Sequence, residues 1–392
     1  MVAVSHCFIV FAVDNNESIC NTRIFDTTEA QSFITRVLLV LFNGGAAVSI
    51  FFVLSGYVLG LSLDRKSNTI FVLISFYIKR IFRIYPAYIV SLTLIIASIW
   101  LFHTYIKFPN TSLWFNWWYT TDITIRNAAK NYVLMETNLN PVAWTLSVEL
   151  LVSFVFPFAY FASRNVGVKL NLIFLSILMA LGYKYSSISY LMFGFVFYIG
   201  LMLPILIEKL ELYATKGTYN KIFVISIVCL LFARLAFEGI SIFYVILVEG
   251  VASAFIVAIL ADLKTTVFLS KYLEYEIVKK LGQFSFSFYI YHFIILYWLS
   301  YGMLLIVSSD FTASYPILLS TILAIVSVPI SYYVAILSYY GVERPMIKCG
   351  AVTSEKLSIL VNNSSVRITK VVSRYRKRIV DLQLTKSFKR VK

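Results

Sequence analysis

The 392-residue chain is too apolar for a soluble globular protein, because 60% of its residues are hydrophobic and 14% are charged, whereas soluble domains carry about 25% charged residues. The formal net charge of +15 does not indicate nucleic-acid binding, since the basic residues lie between apolar runs and in the C-terminal tail rather than on one folded face. The four cysteines are too few and too scattered for a disulfide framework or a metal site. The composition predicts an all-α integral membrane protein.

A bilayer requires apolar runs of about 20 residues, and the runs in this chain predict a bundle of about ten transmembrane helices. In chain order, the predicted helices lie at about 2–13, 37–63, 84–106, 142–162, 170–182, 187–207, 222–237, 240–261, 283–307 and 315–339. The run at 170–182 is short enough to be tilted or re-entrant. No internal repeat and no separate soluble domain is visible in the sequence.

The first predicted helix is too short for a full span. Its residues, Val2 to Val13, cover about 18 Å of a hydrocarbon core about 30 Å thick. The simplest interpretation is that residues are missing before Met1, and the alternative is a genuine half-span.

Lysine and arginine are distributed unequally between the two sides of the predicted bundle. They are concentrated in alternate connections and in the tail, at 64–83, 163–169, 208–221, 262–280 and 344–392. Because cytoplasmic loops carry an excess of these residues, this side is predicted to be cytoplasmic, with both termini on it. The polar tail at 346–392, which contains RYRKR at 374–378, is expected to bind anionic membrane lipid.

Lys79, Arg80 and Arg83 precede Tyr85 and Pro86 at the cytoplasmic end of the third predicted helix. Arg80 and Arg83 are three residues apart, so they share one helix face. One interpretation is a positive-inside anchor. The other is a phosphate clamp, because two guanidinium groups on one face suit a multiply charged phosphate ligand.

Two titratable residues are predicted to lie at the same depth of the bilayer. Glu149 follows Trp144 and Ser147 in the fourth predicted helix, and His6 lies in the first; each is about 10 Å below the outer interface. This matching depth suggests a histidine base that is oriented by a carboxylate or shares a proton with it. The alternatives are an ion pair between Glu149 and a neighbouring helix, such as the one that carries Arg234, and a histidine that only packs.

His292 is predicted nearer the middle of the bilayer, where it either lines a passage for an acyl-thioester arm or bonds to a neighbouring helix. Ser147 has a possible supporting role on the same passage. The loop between the third and fourth helices carries Trp114, Trp117 and Trp118. These rings form either an interfacial belt or a stacking platform for sugars.

Five stretches of the sequence are distinctive: NGGAAVSIFFVLSGYVLG (43–60), FYIKRIFRIYPAYIV (76–90), WTLSVELL (144–151), LGQFSFSFYIYH (281–292) and ERP (343–345). Through these stretches the chain resembles the acyltransferase-3 family of membrane-bound O-acyltransferases. They occur in the order typical of the family, and their combination is more specific than any one of them. The resemblance implies a transmembrane acyltransferase domain at 1–345, followed by the basic cytoplasmic tail at 346–392.

The resemblance also implies an activity. Members transfer an acyl group, usually acetyl, from cytoplasmic acyl-CoA to a hydroxyl on the outer face, mostly of a lipopolysaccharide, capsule, exopolysaccharide or peptidoglycan sugar, in the inner membrane of a bacterium. Arg80 and Arg83, with Lys79 beside them, match the arginines proposed to engage the CoA phosphates. His6 matches the histidine taken as catalytic, and Glu149 matches the acidic residue of the Trp–Ser/Thr–Leu–x–x–Glu pattern.

One departure from the family pattern concerns the start of the chain. The family normally has an arginine eleven positions before the first-helix histidine, and that position falls before Met1 here. The expectations are therefore an upstream start or an inactive copy. The other rival is a non-enzymatic transporter or flippase for lipid-linked sugar, which explains the helices, Glu149 and Glu249 but not the motifs.

Overall fold

The computed structural model describes residues 1–64, 69–210, 216–261 and 270–357. Within those ranges the chain is helical and forms no β-strand beyond two isolated bridges. The helices are α1 (Val2–Cys7), α2 (Ala30–Leu41), α3 (Gly44–Asp64), α4 (Thr69–Phe102), α5 (Leu113–Asn116), α6 (Ile125–Tyr132), α7 (Trp144–Asn165), α8 (Val168–Lys184), α9 (Ser189–Leu210), α10 (Lys216–Ala236), α11 (Ile242–Ala261), α12 (Ser270–Leu273), α13 (Glu276–Ile306), α14 (Ser309–Ser314) and α15 (Pro316–Ser338).

Eight helical segments of the described residues are long and apolar enough to cross a membrane, so an all-helical, multi-pass membrane fold is confirmed. They are Ala30–Leu63, Val72–Phe102, Pro141–Asn165, Ser189–Ile207, Gly217–Ala236, Ile242–Ala261, Glu276–Ile306 and Pro316–Leu357. The other two predicted spans correspond to α1 and α8. With 6 and 17 residues, these helices are about 9 Å and about 25 Å long, shorter than the core of about 30 Å.

Helix α1 ends earlier than the apolar run at 2–13 predicts. After Cys7 the backbone leaves the helix and runs beside the loop that precedes α5, where the N–H of Ser112 donates to the carbonyl of Val10 at 2.9 Å. An isolated bridge joins Phe11 to Thr111 in the same region. Because buried backbone groups need partners, these bonds stabilise an extended segment in place of another helical turn.

Helix α4 begins well before its predicted start at 84. It includes Lys79, Arg80 and Arg83, and it continues past Pro86 to Phe102. Charged residues lower the hydropathy of a run without disfavouring helix, which is why the apolar pattern predicted only its C-terminal part. The basic residues therefore lie in the middle of a continuous helix.

The tightest packing between spans joins α3 to α9. A Cβ atom at Gly56 would lie 2.2 Å from the carbonyl oxygen of Phe197, and one at Gly200 would lie 2.1 Å from that of Val53. Only glycine permits so close an approach of two backbones, and small residues of this kind are typical of helix–helix interfaces in membranes.

The C-terminal span is longer than predicted. Helix α15 is followed by a π-helical turn, Tyr339–Glu343, and helix continues to Leu357. The predicted boundary between the domain at 1–345 and the tail at 346–392 therefore falls inside a helix. The basic run at 374–378 lies outside the described residues.

Candidate active site

Three cavities in the bundle form a series, because each shares wall residues with the next. We call them inner, middle and outer, after the predicted orientation of the bundle. The inner cavity, of about 190 Å³, is lined by Lys79 and Arg83 of α4. The middle cavity, of about 220 Å³, shares Arg83 with it and is also lined by Glu149. The outer cavity, of about 440 Å³, shares Tyr289 with the middle one and is lined by His6. This series leads from the basic part of α4 to the imidazole of His6.

His6 is held in the wall of the outer cavity by the elements on either side of it. The segment after α1 is fixed to the loop before α5, and that loop leads to Trp114, whose ring centroid lies 5.3 Å from that of His6. On the other side, the imidazoles of His6 and His292 stack, with centroids 5.3 Å apart and planes 20° apart. The two histidines, which are far apart in the sequence, thus form one pair.

Hydrogen bonding defines the tautomers of this pair. Nδ1 of His292 lies 2.6 Å from the carbonyl oxygen of Tyr289, and because a carbonyl can only accept, this nitrogen carries the proton. Nε2 of neutral His292 is then an acceptor, and it lies 3.2 Å from Nδ1 of His6. His6 therefore donates from Nδ1, which leaves the lone pair on its own Nε2.

Glu149 does not orient His6 as its depth suggested, because the structure pairs it with Arg80 instead. Nη2 of Arg80 donates to the Glu149 carboxylate, and Nε of Arg80 donates to the hydroxyl of Ser153 at 3.0 Å. The alternative prediction, an ion pair between Glu149 and a neighbouring helix, therefore describes the contact correctly. The cation is Arg80, however, and not Arg234. The partner of His6 is His292.

The three basic residues of α4 differ in exposure. Lys79 and Arg83 are exposed, while Arg80 is half-buried beside its carboxylate. All three line the inner cavity. The two guanidinium groups of the predicted clamp therefore differ. Arg80 pairs with Glu149, whereas Arg83 faces both the inner and the middle cavity.

The hydroxyl of Ser147 donates to the carbonyl of Leu134 at 3.1 Å, and Ser147 lines none of the three cavities. It fastens the start of α7 to the segment that follows α6. The three tryptophans differ in position: Trp114 and Trp118 line the outer cavity, whereas Trp117 is 74% exposed. The predicted interfacial belt therefore does not describe Trp114 and Trp118.

Another arginine–glutamate pair, not predicted from the sequence, joins the wall of the outer cavity to a carboxylate behind it. Nε of Arg234 is 3.3 Å from the carboxylate of Glu249 and 3.0 Å from Oδ1 of Asn43. Asn43 and Ser49 each donate to the carboxylate at 3.1 Å. Arg234 and Asn43 line the outer cavity, whereas Glu249 does not.

Arg36 is the other arginine of the outer cavity wall. It donates from Nη2 to Glu238 and from Nη1 to the carbonyl of Cys20. Cys20 also lines the cavity, and burial raises the pKa of its thiol, which keeps it protonated and a poor nucleophile. Neither Arg36 nor Tyr289 was singled out from the sequence. Tyr289 lies in the stretch at 281–292, whereas Arg36 belongs to no motif.

Stretches that are far apart in the sequence meet around these cavities. The Arg80–Glu149 pair joins the stretch at 76–90 to the one at 144–151. The hydroxyl of Ser287 donates to the carboxylate of Glu343 at 2.7 Å, which joins the stretch at 281–292 to the one at 343–345. The motifs thus form one region of the folded chain.

The residues that the structure describes contain no group of three or more histidine, cysteine, aspartate or glutamate side chains that could hold a metal ion. The side chains at the site are instead suited to proton transfer and to binding anions.

Residues 1–336 match the model of a protein family described as an acyltransferase domain. The match covers more than half of the chain and includes every residue of the three cavities discussed above. No curated protein and no solved structure matches the chain.

Proposed function

The chain belongs to the acyltransferase-3 family, and from this premise we propose that it transfers an acetyl or other short acyl group from cytoplasmic acyl-CoA to a hydroxyl of a cell-surface polysaccharide or of its lipid-linked precursor. Its family and its apolar helices make it a membrane acyltransferase. The acyl-CoA donor, the sugar acceptor and a location in the inner membrane of a bacterium are parts of the proposal.

The observation that carries the proposal is the position of His6 at the outer end of the cavity series. Its Nε2 is the basic nitrogen of the pair, because Nδ1 donates to His292. An alcohol is a weak nucleophile at neutral pH and requires a base to take its proton as it attacks. A sugar hydroxyl in the outer cavity would find such a base in Nε2.

The reaction then follows in one balanced step. The hydroxyl oxygen forms a bond to the thioester carbonyl carbon while its proton passes to Nε2 of His6. The carbon–sulfur bond breaks, the CoA thiolate takes the proton, and the sugar ester is left. His292 acts as a positioning residue, because its hydrogen bond fixes which nitrogen of His6 is basic.

The inner end of the series suits the polyanionic head of acyl-CoA. We assign this end to the cytoplasm, because lysine and arginine are in excess on its side of the predicted bundle. Lys79 and Arg83 are exposed there. We assign the CoA phosphates to these two side chains, with Arg80 supporting them through its remaining donor. The thin pantetheine arm would follow the middle cavity between Arg83 and Tyr289.

Glu149 receives a different role from the one its depth suggested. Its carboxylate balances the charge of Arg80 and lines the middle cavity. We propose that it positions Arg80 and takes no direct part in proton transfer at His6. The transporter or flippase alternative accounts for buried charge but gives no role to the ordered pair His6–His292.

The decisive test is transfer of radiolabelled acetyl from acetyl-CoA to surface polysaccharide in membranes that contain the full chain. The chain has three histidines, and the third provides a matched control, because Nε2 of His103 bonds to the hydroxyl of Tyr297 at 2.8 Å and His103 lines none of the three cavities. His6→Ala should lower the rate about 10²–10⁴-fold, and His103→Ala should leave it within about twofold.

His292 separates orientation from mere packing in the same assay. His292→Asn retains an acceptor for the Nδ1 proton of His6, whereas His292→Leu removes it, so the asparagine variant should be the more active. Equal rates for His6→Ala and the wild type, at equal protein level, would exclude His6 as the base. Label trapped on His6 would replace direct transfer by an acyl-histidine intermediate, and no acetyl-CoA-dependent label in any variant would favour transport.

A further inference from the structure

The outer cavity is lined by two cations and by no carboxylate among the described residues. Arg36 and Arg234 are its charged wall residues. The carboxylates that pair with them, Glu238 and Glu249, lie outside the wall. A ligand in the cavity therefore meets guanidinium groups directly and their counter-charges only at a distance.

The partners of Arg234 hold its side chain in place but leave some of its N–H donors free. Its Nε makes both polar contacts, to Asn43 and to Glu249, and no hydrogen bond of Nη1 or Nη2 is found within the part of the chain that the structure describes. The guanidinium lies over Gly45, where a Cβ atom would be 1.7 Å from Nη2. The Arg234 side chain is 41% exposed and lines the cavity, so its Nη groups remain available to a ligand.

Other unpaired polar atoms of the same wall are also donors. Nε of Arg36 and Nε1 of Trp118 are buried, and neither has a hydrogen-bond acceptor among the described residues. Both residues line the outer cavity. These two atoms are enclosed by protein, so the donors open to a ligand are the Nη groups of Arg234. The ligand that suits such donors is one with acceptor oxygens and no proton to donate. Carboxylate and phosphate groups have this property, and guanidinium binds them strongly.

We propose that the outer cavity recognises an acceptor that carries an anionic group, and that Arg234, held by Asn43 and Glu249, is the residue that selects it. This inference rests on the proposed function, because it names the class of acceptor for the same site. The anion is either a carboxylate of the sugar itself or the phosphate that joins the sugar to a lipid carrier. Trp114 supplies a ring beside His6 on which the sugar can stack.

Binding without any acyl donor tests the proposal separately from catalysis. The full chain in lipid nanodiscs is titrated with methyl glucuronoside, methyl glucoside and glucose 1-phosphate. We expect at least one anionic sugar to bind about tenfold more tightly than methyl glucoside. Preference for the glucuronoside assigns the carboxylate of the sugar, and preference for glucose 1-phosphate assigns the carrier linkage. Equal affinity for all three, or no binding of any, would overturn the proposal.

Two variants keep the result interpretable. Arg234→Gln should reduce the anion preference to within about twofold, and the double variant Arg234→Gln with Glu249→Gln should do the same without leaving a buried carboxylate unpaired. Arg126→Gln is the matched control, since Arg126 is exposed on α6 and outside the cavity; it should bind like the wild type. An anion preference that survives in both Arg234 variants contradicts the assignment.

The two hypotheses fail in different assays. Acetyl transfer with no anion preference would retain the acyltransferase and discard the acceptor class. Anion preference that depends on Arg234, with no acetyl transfer to any sugar, would retain the binding site and discard the proposed reaction.

Discussion

Two of the arginine–glutamate pairs among the described residues, Arg80–Glu149 and Arg234–Glu249, differ in how much of the arginine remains available. At the inner pair, the side chains of Arg80 and Glu149 are 10% and 6% exposed. At the outer pair, the side chain of Arg234 is 41% exposed while that of Glu249 is fully buried. Each pair joins two membrane-spanning helices, α4 to α7 and α10 to α11. The same two residue types therefore form a structural tie in one place and a cation presented to a cavity in the other.

The difference follows from which atoms make the contacts. Arg80 uses Nη2 and Nε, the two nitrogens of one side of the guanidinium, on Glu149 and Ser153. Arg234 uses Nε alone, and its Nη2 lies over Gly45 without a hydrogen bond among the described residues. A buried pair contributes little net stability, but removing one partner leaves an uncompensated charge and costs about 3–5 kcal/mol. This loss of stability is smaller at a site where the remaining charge can reach water.

The largest effect that we expect concerns the stability of these pairs. Glu149→Gln leaves Arg80 buried without its counter-charge and should lower the free energy of unfolding by about 3–5 kcal/mol. Glu249→Gln should cost less, because Arg234 reaches the cavity, and Arg234→Gln should cost more than Glu249→Gln because Glu249 is fully buried. Thermal unfolding of the purified protein in one detergent measures all three.

The control for this series is Glu136→Gln, which removes a carboxylate from a surface pair with Lys130 and should shift the unfolding temperature only slightly. If Glu149→Gln and Glu249→Gln destabilise the protein equally, the contrast between the two pairs is wrong. Full recovery in the double variant Arg80→Gln with Glu149→Gln would assign the loss to the unpaired charge rather than to packing.

A smaller effect distinguishes the two arginines that face cavities. Arg83→Gln removes an exposed cation from the inner cavity and should raise the KM for acetyl-CoA about tenfold with little change in kcat. Arg234→Gln should leave the KM for acetyl-CoA unchanged, because it lies on the outer cavity. Lys169→Gln, which removes an exposed cation from the same predicted side at the start of α8, is the control. An unchanged KM for Arg83→Gln would remove Arg83 from the acyl-CoA site.

Hydropathy predicted the helical membrane fold because a bilayer constrains the length and apolarity of each span, a property that can be read locally. The stretch around Arg83 and the one around Glu149 likewise marked the site from local pattern and resemblance. Depth along a helix could be estimated from residue counts alone. These inferences needed no knowledge of which helices touch.

The partners of the site residues could not be predicted in this way. His6 and His292 lie at opposite ends of the family domain, and their contact depends on α1 packing beside α13. Glu149 was predicted at the depth of His6, but the structure pairs it with Arg80, and a residue count does not report which helices are neighbours. The end of α1 at Cys7 depends on backbone bonds with the loop before α5, more than one hundred residues later in the chain, as in the bond from the N–H of Ser112 to the carbonyl of Val10.

The smallest predicted effect tests the outer arginine without removing a charge. In Gly45→Ala the new Cβ would lie 1.7 Å from Nη2 of Arg234, so the guanidinium must move, at low cost because it is the end of a flexible side chain. We expect the preference for an anionic sugar to fall about threefold, consistent with the partial loss of one charge-assisted contact. Gly194→Ala is the matched control, because nothing lies within 4 Å of its Cβ position. If Gly45→Ala binds as Gly194→Ala does, the position of the guanidinium over Gly45 does not determine acceptor choice, and selection must come from Arg36 or Trp118.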